Sequence, residues 1–324
     1  MRRLVTLTMI LLGTDTMAEA GSAPSSTSEV LDIRYYKSHS SRHYLDVFAP
    51  QEVADRDVKR PVVIFLHGGT WMIGDKNFFG VYRGVGRFLA ENGFVAVMVN
   101  YRLSPFVRHP EHARDVARAF AWCRRNIQRY GGDPDQIILA GHSAGGHLAC
   151  LLAMDSTYLE DSALNLDDKA RKAIRGVVSI SGVYRIPDAR EFHGMAQRTV
   201  RSMVGDPAQN RLAATMGPAL MMVSPAANPF HLVFGRSADV RDNASPISHA
   251  RPGLAPFLLI NAELEVAGLH EMAGDFKDEL KKHGVPVDHH EIDGVTHRTI
   301  IRQFHDADTE AGRLLLGFVR RQTR

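Results

Sequence analysis

Residues 141–146 read Gly-His-Ser-Ala-Gly-Gly, a G-x-S-x-G element. The apolar residues Ile137-Ile138-Leu139-Ala140 precede it, and good helix formers follow from His147 to Ala153. Strand, sharp turn, helix is the order that lifts a serine hydroxyl onto an exposed, strained elbow. The glycines suit such a turn because a Cβ would obstruct its close approach and unusual φ/ψ. A serine held this way can attack a carbonyl carbon if a neighbour takes its proton. The plainer use of such a stretch is a helix N-terminus with Ser143 near the N-cap. The rest of the chain decides between the two.

A neutral imidazole can accept the serine proton and return it to a leaving group. The chain has sixteen histidines, so position must choose among them. His297 follows a strand-like run, Val287 to Ile292, and falls on a loop at the strand's C-terminal end. Open α/β sheets gather their chemistry there. His289 and His290 lie inside the run and read as structural, and His305 reads as a surface residue. The imidazolium needs a carboxylate to hold its tautomer. Glu263 and Glu265 both follow the apolar run 256–260, where that acid belongs. Glu265 is the better placed to reach across, and Glu263 is the alternative.

A tetrahedral oxyanion needs hydrogen-bond donors. His67-Gly68-Gly69-Thr70-Trp71 follows the apolar run Pro61 to Leu66. Paired glycines after a central strand leave backbone N–H groups unshielded. With the N–H of Ala144, after the serine, they can converge on one point. Gly69 and Thr70 are the expected donors, with Gly68 shaping the turn. A Gly-Gly hairpin turn is the other use of this loop. Asp115 reads as a capping or salt-bridge residue, and Trp71 and Trp122 as core.

The elements that must position these residues recur along 324 residues with 44% apolar and 23% charged composition, ordinary for a globular protein. Leu31 to Tyr36 and Tyr44 to Phe48 suggest a hairpin. Continuous apolar runs at 61–66, 94–99 and 177–180 read as strands buried on both faces. Helical spacing covers 85–92, 111–130, 268–283 and 309–322. The alternation predicts an α/β fold with a mostly parallel central sheet and helices on both faces. The segment from about 186 to 252 breaks the rhythm. It holds seven of the fifteen prolines and is too long for a simple loop, so it reads as an inserted cap or lid.

Arg2-Arg3, the apolar stretch Leu4 to Leu12 and Ala18-Glu19-Ala20 together have the form of a secretory leader over 1–20, too short to span a membrane. Residues 21–28 read as a linker, and 29–324 as one domain carrying the insert. The leader predicts a secreted or periplasmic protein, with a cytoplasmic one as the alternative if 1–20 is not a leader. Net charge is +3 with no long basic run, so nothing implies a nucleic-acid partner. The spacing offers no metal site and implies no cofactor. Cys123 and Cys150 read as buried free thiols, with a single bridge as the alternative. Oligomeric state has no signature here.

Four motifs together carry a family likeness: His67-Gly68-Gly69-Thr70-Trp71, Asn100-Tyr101-Arg102-Leu103, Tyr130-Gly131-Gly132-Asp133-Pro134 and Gly141 to His147. The chain resembles the α/β-hydrolase esterases of the HGGxW group, which include kynurenine formamidases, isoprenylcysteine methylesterases and feruloyl-esterase-like bacterial carboxylesterases. The likeness is strong over 60–155 and looser over 255–300. It implies a cofactor-free serine hydrolase acting on a small to medium ester through an acyl-enzyme. By position it makes Ser143 the nucleophile, His297 the base and Glu265 the acid, with Gly68, Gly69, Thr70 and Ala144 around the oxyanion. Two departures stand out: Thr70 where lipase-like relatives carry a third glycine, and Glu265 where Asp is usual. The alternatives are an arylformamidase-type amide hydrolase and, in another class, an inactive α/β-hydrolase used as a binding module.

Overall fold

The computed structural model describes residues 27–51, 59–195, 229–266 and 268–324. Eight strands form one sheet: β1 (Thr27–Arg34), β2 (Tyr44–Pro50), β3 (Arg60–Leu66), β4 (Val95–Val99), β5 (Gly132–His142), β6 (Ile174–Ile180), β7 (Phe257–Leu264) and β8 (Val287–Thr296). Their order across the sheet is β1-β2-β4-β3-β5-β6-β7-β8. Only β2 runs against its neighbours, and β4 through β8 pair in parallel. This is an α/β-hydrolase fold.

Helices cover both faces, and β3 shows why. Val62, Ile64 and Leu66 point into one core, with α2 (Glu111–Asn126), α3 (Ala144–Met154) and, farther along the sheet, α7 (Leu269–Lys282). Val63 and Phe65 point into the other, with α1 (Val81–Glu91) and α8 (Glu310–Gln322). A strand with both faces covered must be apolar at every position, which is what its sequence shows. Short helices α4 (Asp168–Lys172), α5 (Pro229–Phe234) and α6 (Ala238–Asn243) also lie among the described residues.

Several boundaries differ from expectation. β1 begins at Thr27, not Leu31, and its register shifts between Val30 and Ile33, where Asp32 has φ 56°. That irregularity on an edge strand breaks the alternation that would reveal it in the sequence. β7 continues past Ile260 to Leu264, and β8 past Ile292 to Thr296. β5 starts at Gly132, ahead of the apolar run 137–140, and Gly131 before it turns the chain at φ 78°. The leader and most of the linker lie outside the described residues, as does 196–228 of the 186–252 segment.

That segment leaves the sheet after β6 and returns before β7. Among its described residues there is no strand. Its two ends are tied together: the Ile247 N–H donates to the Tyr184 carbonyl at 3.1 Å, and the Ile186 N–H to Ser245 Oγ at 2.9 Å. Cys123 and Cys150 are both buried and free, and burial pushes each thiol well up in pKa. No helix among the described residues is long and apolar enough to cross a membrane.

Candidate active site

Ser143 joins β5 to α3 at φ 54° and ψ −118°, a conformation that a side chain rarely adopts. It is held there from both sides. Its N–H donates to the Ile180 carbonyl of β6 at 2.8 Å, and its carbonyl accepts from the His147 N–H at 3.0 Å. The approach of α3 depends on Gly145, where a Cβ would stand 2.1 Å from the Leu66 carbonyl oxygen. Strain of this kind persists only when surroundings over-determine it, and it marks functional sites.

His297 lies directly after β8, and its N–H donates to the Leu264 carbonyl at 3.1 Å. Its Nε2 is 3.0 Å from Ser143 Oγ, and its Nδ1 is 2.5 Å from Glu265 Oε1. The Glu265 side chain is fully buried. Burial alone would raise its pKa, but the hydrogen bond and charge of His297, with hydrogen bonds from Ser181 and the Val266 N–H, together hold it below the usual carboxylate range. Asn261 Nδ2 and the Ala262 N–H each approach its second oxygen at 3.4 Å. Glu263 is elsewhere: exposed, it accepts the Gly294 N–H at 2.7 Å and so braces the turn in β8. The structure thus brings Ser143, His297 and Glu265 into one chain of contacts and leaves Glu263 out.

The loop after β3 comes against this chain. Gly69 has φ 121°, and its carbonyl accepts from the N–H groups of Met72 and Ile73, closing a tight turn. A Cβ there would be 2.2 Å from the Ile73 carbonyl oxygen. Among the described residues neither the Gly69 nor the Thr70 N–H donates to a protein group. Ala144 is the first residue of α3, so its N–H has no partner within the helix. Gly68 differs. Its N–H donates to the Tyr82 hydroxyl at 2.8 Å, so Gly68 shapes the turn and is not a free donor as its place in the motif implied.

His67 braces the same loop. It is buried against the ring of Tyr101, with ring centroids 4.4 Å apart and nearly parallel. Burial lowers its pKa to about 4, so it is neutral. Its Nδ1 contacts the Gly68 carbonyl at 2.8 Å, and its Nε2 faces an Arg42 nitrogen at 3.2 Å. Arg42 also donates to the carbonyls of Gly74 and Tyr101. Trp71, core as expected, donates from Nε1 to His147 Nδ1 at 3.2 Å, and His147 Nε2 contacts the Ala244 carbonyl at 2.7 Å. Phe230 and Phe234 of α5 pack on the Trp71 indole, so the insert rests on the loop. Asp115 is buried and paired with Arg102, Arg118 and His43, the salt-bridge role expected of it. The sequence did not single out Arg42 or Tyr82.

Residues 45–250 match the BD-FAE family model. The chain belongs to the BD-FAE family. It is similar to "Probable carboxylic ester hydrolase LipM" of Mycobacterium tuberculosis, at 32% identity over 67% of this chain and 49% of that protein. It is 30% identical to esterase LipC of the same organism, over 73% of this chain and 52% of that one. The chain therefore spans about half the length of the curated relatives it matches. Among solved structures, a truncated carbohydrate esterase from gut microbiota superposes with TM-score 0.70 at 19% identity, covering 93% of this chain and 98% of that one. Esterase B from Lactobacillus rhamnosis gives 0.67 at 19% identity, covering 92% and 85%. Both likenesses concern the fold.

Proposed function

We propose that this BD-FAE family member hydrolyses carboxylic esters through an acyl-enzyme. The observation that carries the reading is the unbroken contact chain from Ser143 Oγ through His297 to Glu265, on a serine held at positive φ. His297 Nε2 takes the hydroxyl proton as Ser143 Oγ bonds to the carbonyl carbon. The carbonyl π pair moves to oxygen, where the N–H groups of Gly69, Thr70 and Ala144 receive it. Glu265 holds the Nδ1 proton and stabilises the imidazolium. Collapse breaks the ester C–O bond, and the imidazolium gives its proton to the departing alkoxide. Water, deprotonated by His297, then releases the acid and restores Ser143.

The names of the curated relatives support ester over amide substrates. The described end of the insert reaches the loop after β3, where Phe230 and Phe234 pack on Trp71, and this supports its bounding a pocket for a small to medium ester. The leader-like residues 1–20 support export as the setting. The test is hydrolysis of p-nitrophenyl acetate by purified protein alongside labelling by a fluorophosphonate. Ser143→Ala should abolish both, and retained turnover in that variant would sink the proposal.

A further inference from the structure

We infer that Tyr82 and His142 form a positioning pair that fixes the oxyanion loop and the His297 loop relative to each other; the inference rests on the roles proposed above for Ser143 and His297. Three contacts run in series. The Gly68 N–H donates to Tyr82 Oη at 2.8 Å, Tyr82 Oη meets His142 Nδ1 at 3.0 Å, and His142 Nε2 meets the His297 carbonyl at 2.9 Å. Tyr82 belongs to α1, and His142 is the residue just before the nucleophile. Both are buried.

Donor and acceptor counting gives each proton one place. A carbonyl only accepts, so His142 Nε2 carries the hydrogen toward His297. Burial, with the charge of His297 adding to it, lowers the His142 pKa to about 3, so the ring is neutral and Nδ1 is bare. Nδ1 must therefore accept, and the Tyr82 hydroxyl must donate to it. The hydroxyl oxygen is left to accept from Gly68. No group in the series is unpaired, and no other tautomer satisfies all three contacts. The series ties four separate pieces of chain: the turn after β3, α1, the elbow, and the loop after β8. A neutral His142 also adds no like charge beside the His297 ring, 5.0 Å away between centroids, when that ring becomes cationic. Both residues act through the backbone of others, so they position and do not themselves react.

The test is steady-state ester hydrolysis by Tyr82→Phe, His142→Leu, His142→Gln and the Tyr82→Phe/His142→Leu double variant, with Ser143→Ala in the same assay. Phe keeps the ring packing and removes only the hydroxyl, leaving two buried polar groups unpaired. The expected result is a kcat lower by about 10- to 100-fold with KM within about two-fold. The double variant should be no slower than the worse single variant, because either change breaks the same series. Gln can still donate toward the His297 carbonyl, so His142→Gln should stay well above His142→Leu. Wild-type kcat in Tyr82→Phe, or losses that multiply in the double variant, would overturn the pairing. If Tyr82→Phe does not fold, the two His142 variants decide: equal kcat in both overturns it. An active Ser143→Ala would instead overturn the underlying reading, whatever Tyr82→Phe does.

Discussion

Glu265 meets His297 Nδ1 at 2.5 Å, whereas Glu263, two residues earlier, spends its carboxylate on the Gly294 N–H. The two acids are chemically equivalent in the sequence and structurally unequal. Glu265→Gln should lower kcat by about 10³- to 10⁴-fold, the scale expected when the acid of a triad becomes an amide and the histidine tautomer is lost. Glu263→Gln keeps an acceptor for Gly294 and should stay within a few-fold of wild type. Steady-state kinetics of both variants on one short-chain ester checks the assignment, and the opposite ranking would reverse it.

Gly69 offers a test of the oxyanion loop that backbone donors rarely allow. Alanine there would need to hold φ 121° with its Cβ 2.2 Å from the Ile73 carbonyl oxygen, so the turn must open. Losing one donor of this kind costs about 10²- to 10³-fold in kcat. Gly69→Ala should show at least that loss. Gly274→Ala is the control: it lies in α7 with nothing within 4 Å of the new Cβ, and should leave kcat unchanged and raise Tm slightly. Equal kcat for the two variants would remove the loop from the mechanism.

Acid should destabilise the fold well above the carboxylate range. Burial lowers the pKa of His67, His109 and His112 to about 4, and of His142 and His147 to about 3, from an ordinary value of 6.5. Below pH 6.5 the unfolded chain therefore binds protons that the folded chain does not. The stabilisation these rings confer is complete above 6.5 and is lost as pH falls toward the folded values. Each ring steepens the loss by up to about 1.4 kcal/mol per pH unit. Denaturant midpoints from pH 7 to 4.5 should fall accordingly. His147→Gln, which cannot charge, should show a shallower fall, and an unchanged slope would show that His147 is not the group responsible.

The parts of the site that were legible in the sequence are those encoded locally. The elbow is five residues between a strand and a helix, and the oxyanion loop follows its strand directly. His297 was found from strand order, since a loop at the C-terminal end of β8 had to face the elbow. The choice between Glu263 and Glu265 was limited by register. Glu263 lies within β7, which runs to Leu264, and Glu265 lies beyond the strand end, where the chain turns inward. An apolar run that stops at Ile260 cannot show that. Tyr82 and Arg42 left no local trace, because their partners lie 14 or more residues away and their types are common on a helix or a turn. β1 was only partly legible for the reason given by its bulge: an edge strand with Asp32 at positive φ does not alternate.

The ties at the base of the 186–252 segment make a narrow neck, with Tyr184 and Ile186 on one side and Ser245 and Ile247 on the other. The described parts of the segment meet the sheet at this neck, while Ser143, His297 and Glu265 stand on strand ends outside it. The segment is in that sense a cassette. Loop length adds only a small cost to chain closure, so change between the neck and α5 is cheap, whereas Phe230, Phe234 and Ala244, which touch Trp71 and His147, are not free to change. The segment is thus held at two places, its neck and its seat on Trp71, and only the stretch between them can vary cheaply.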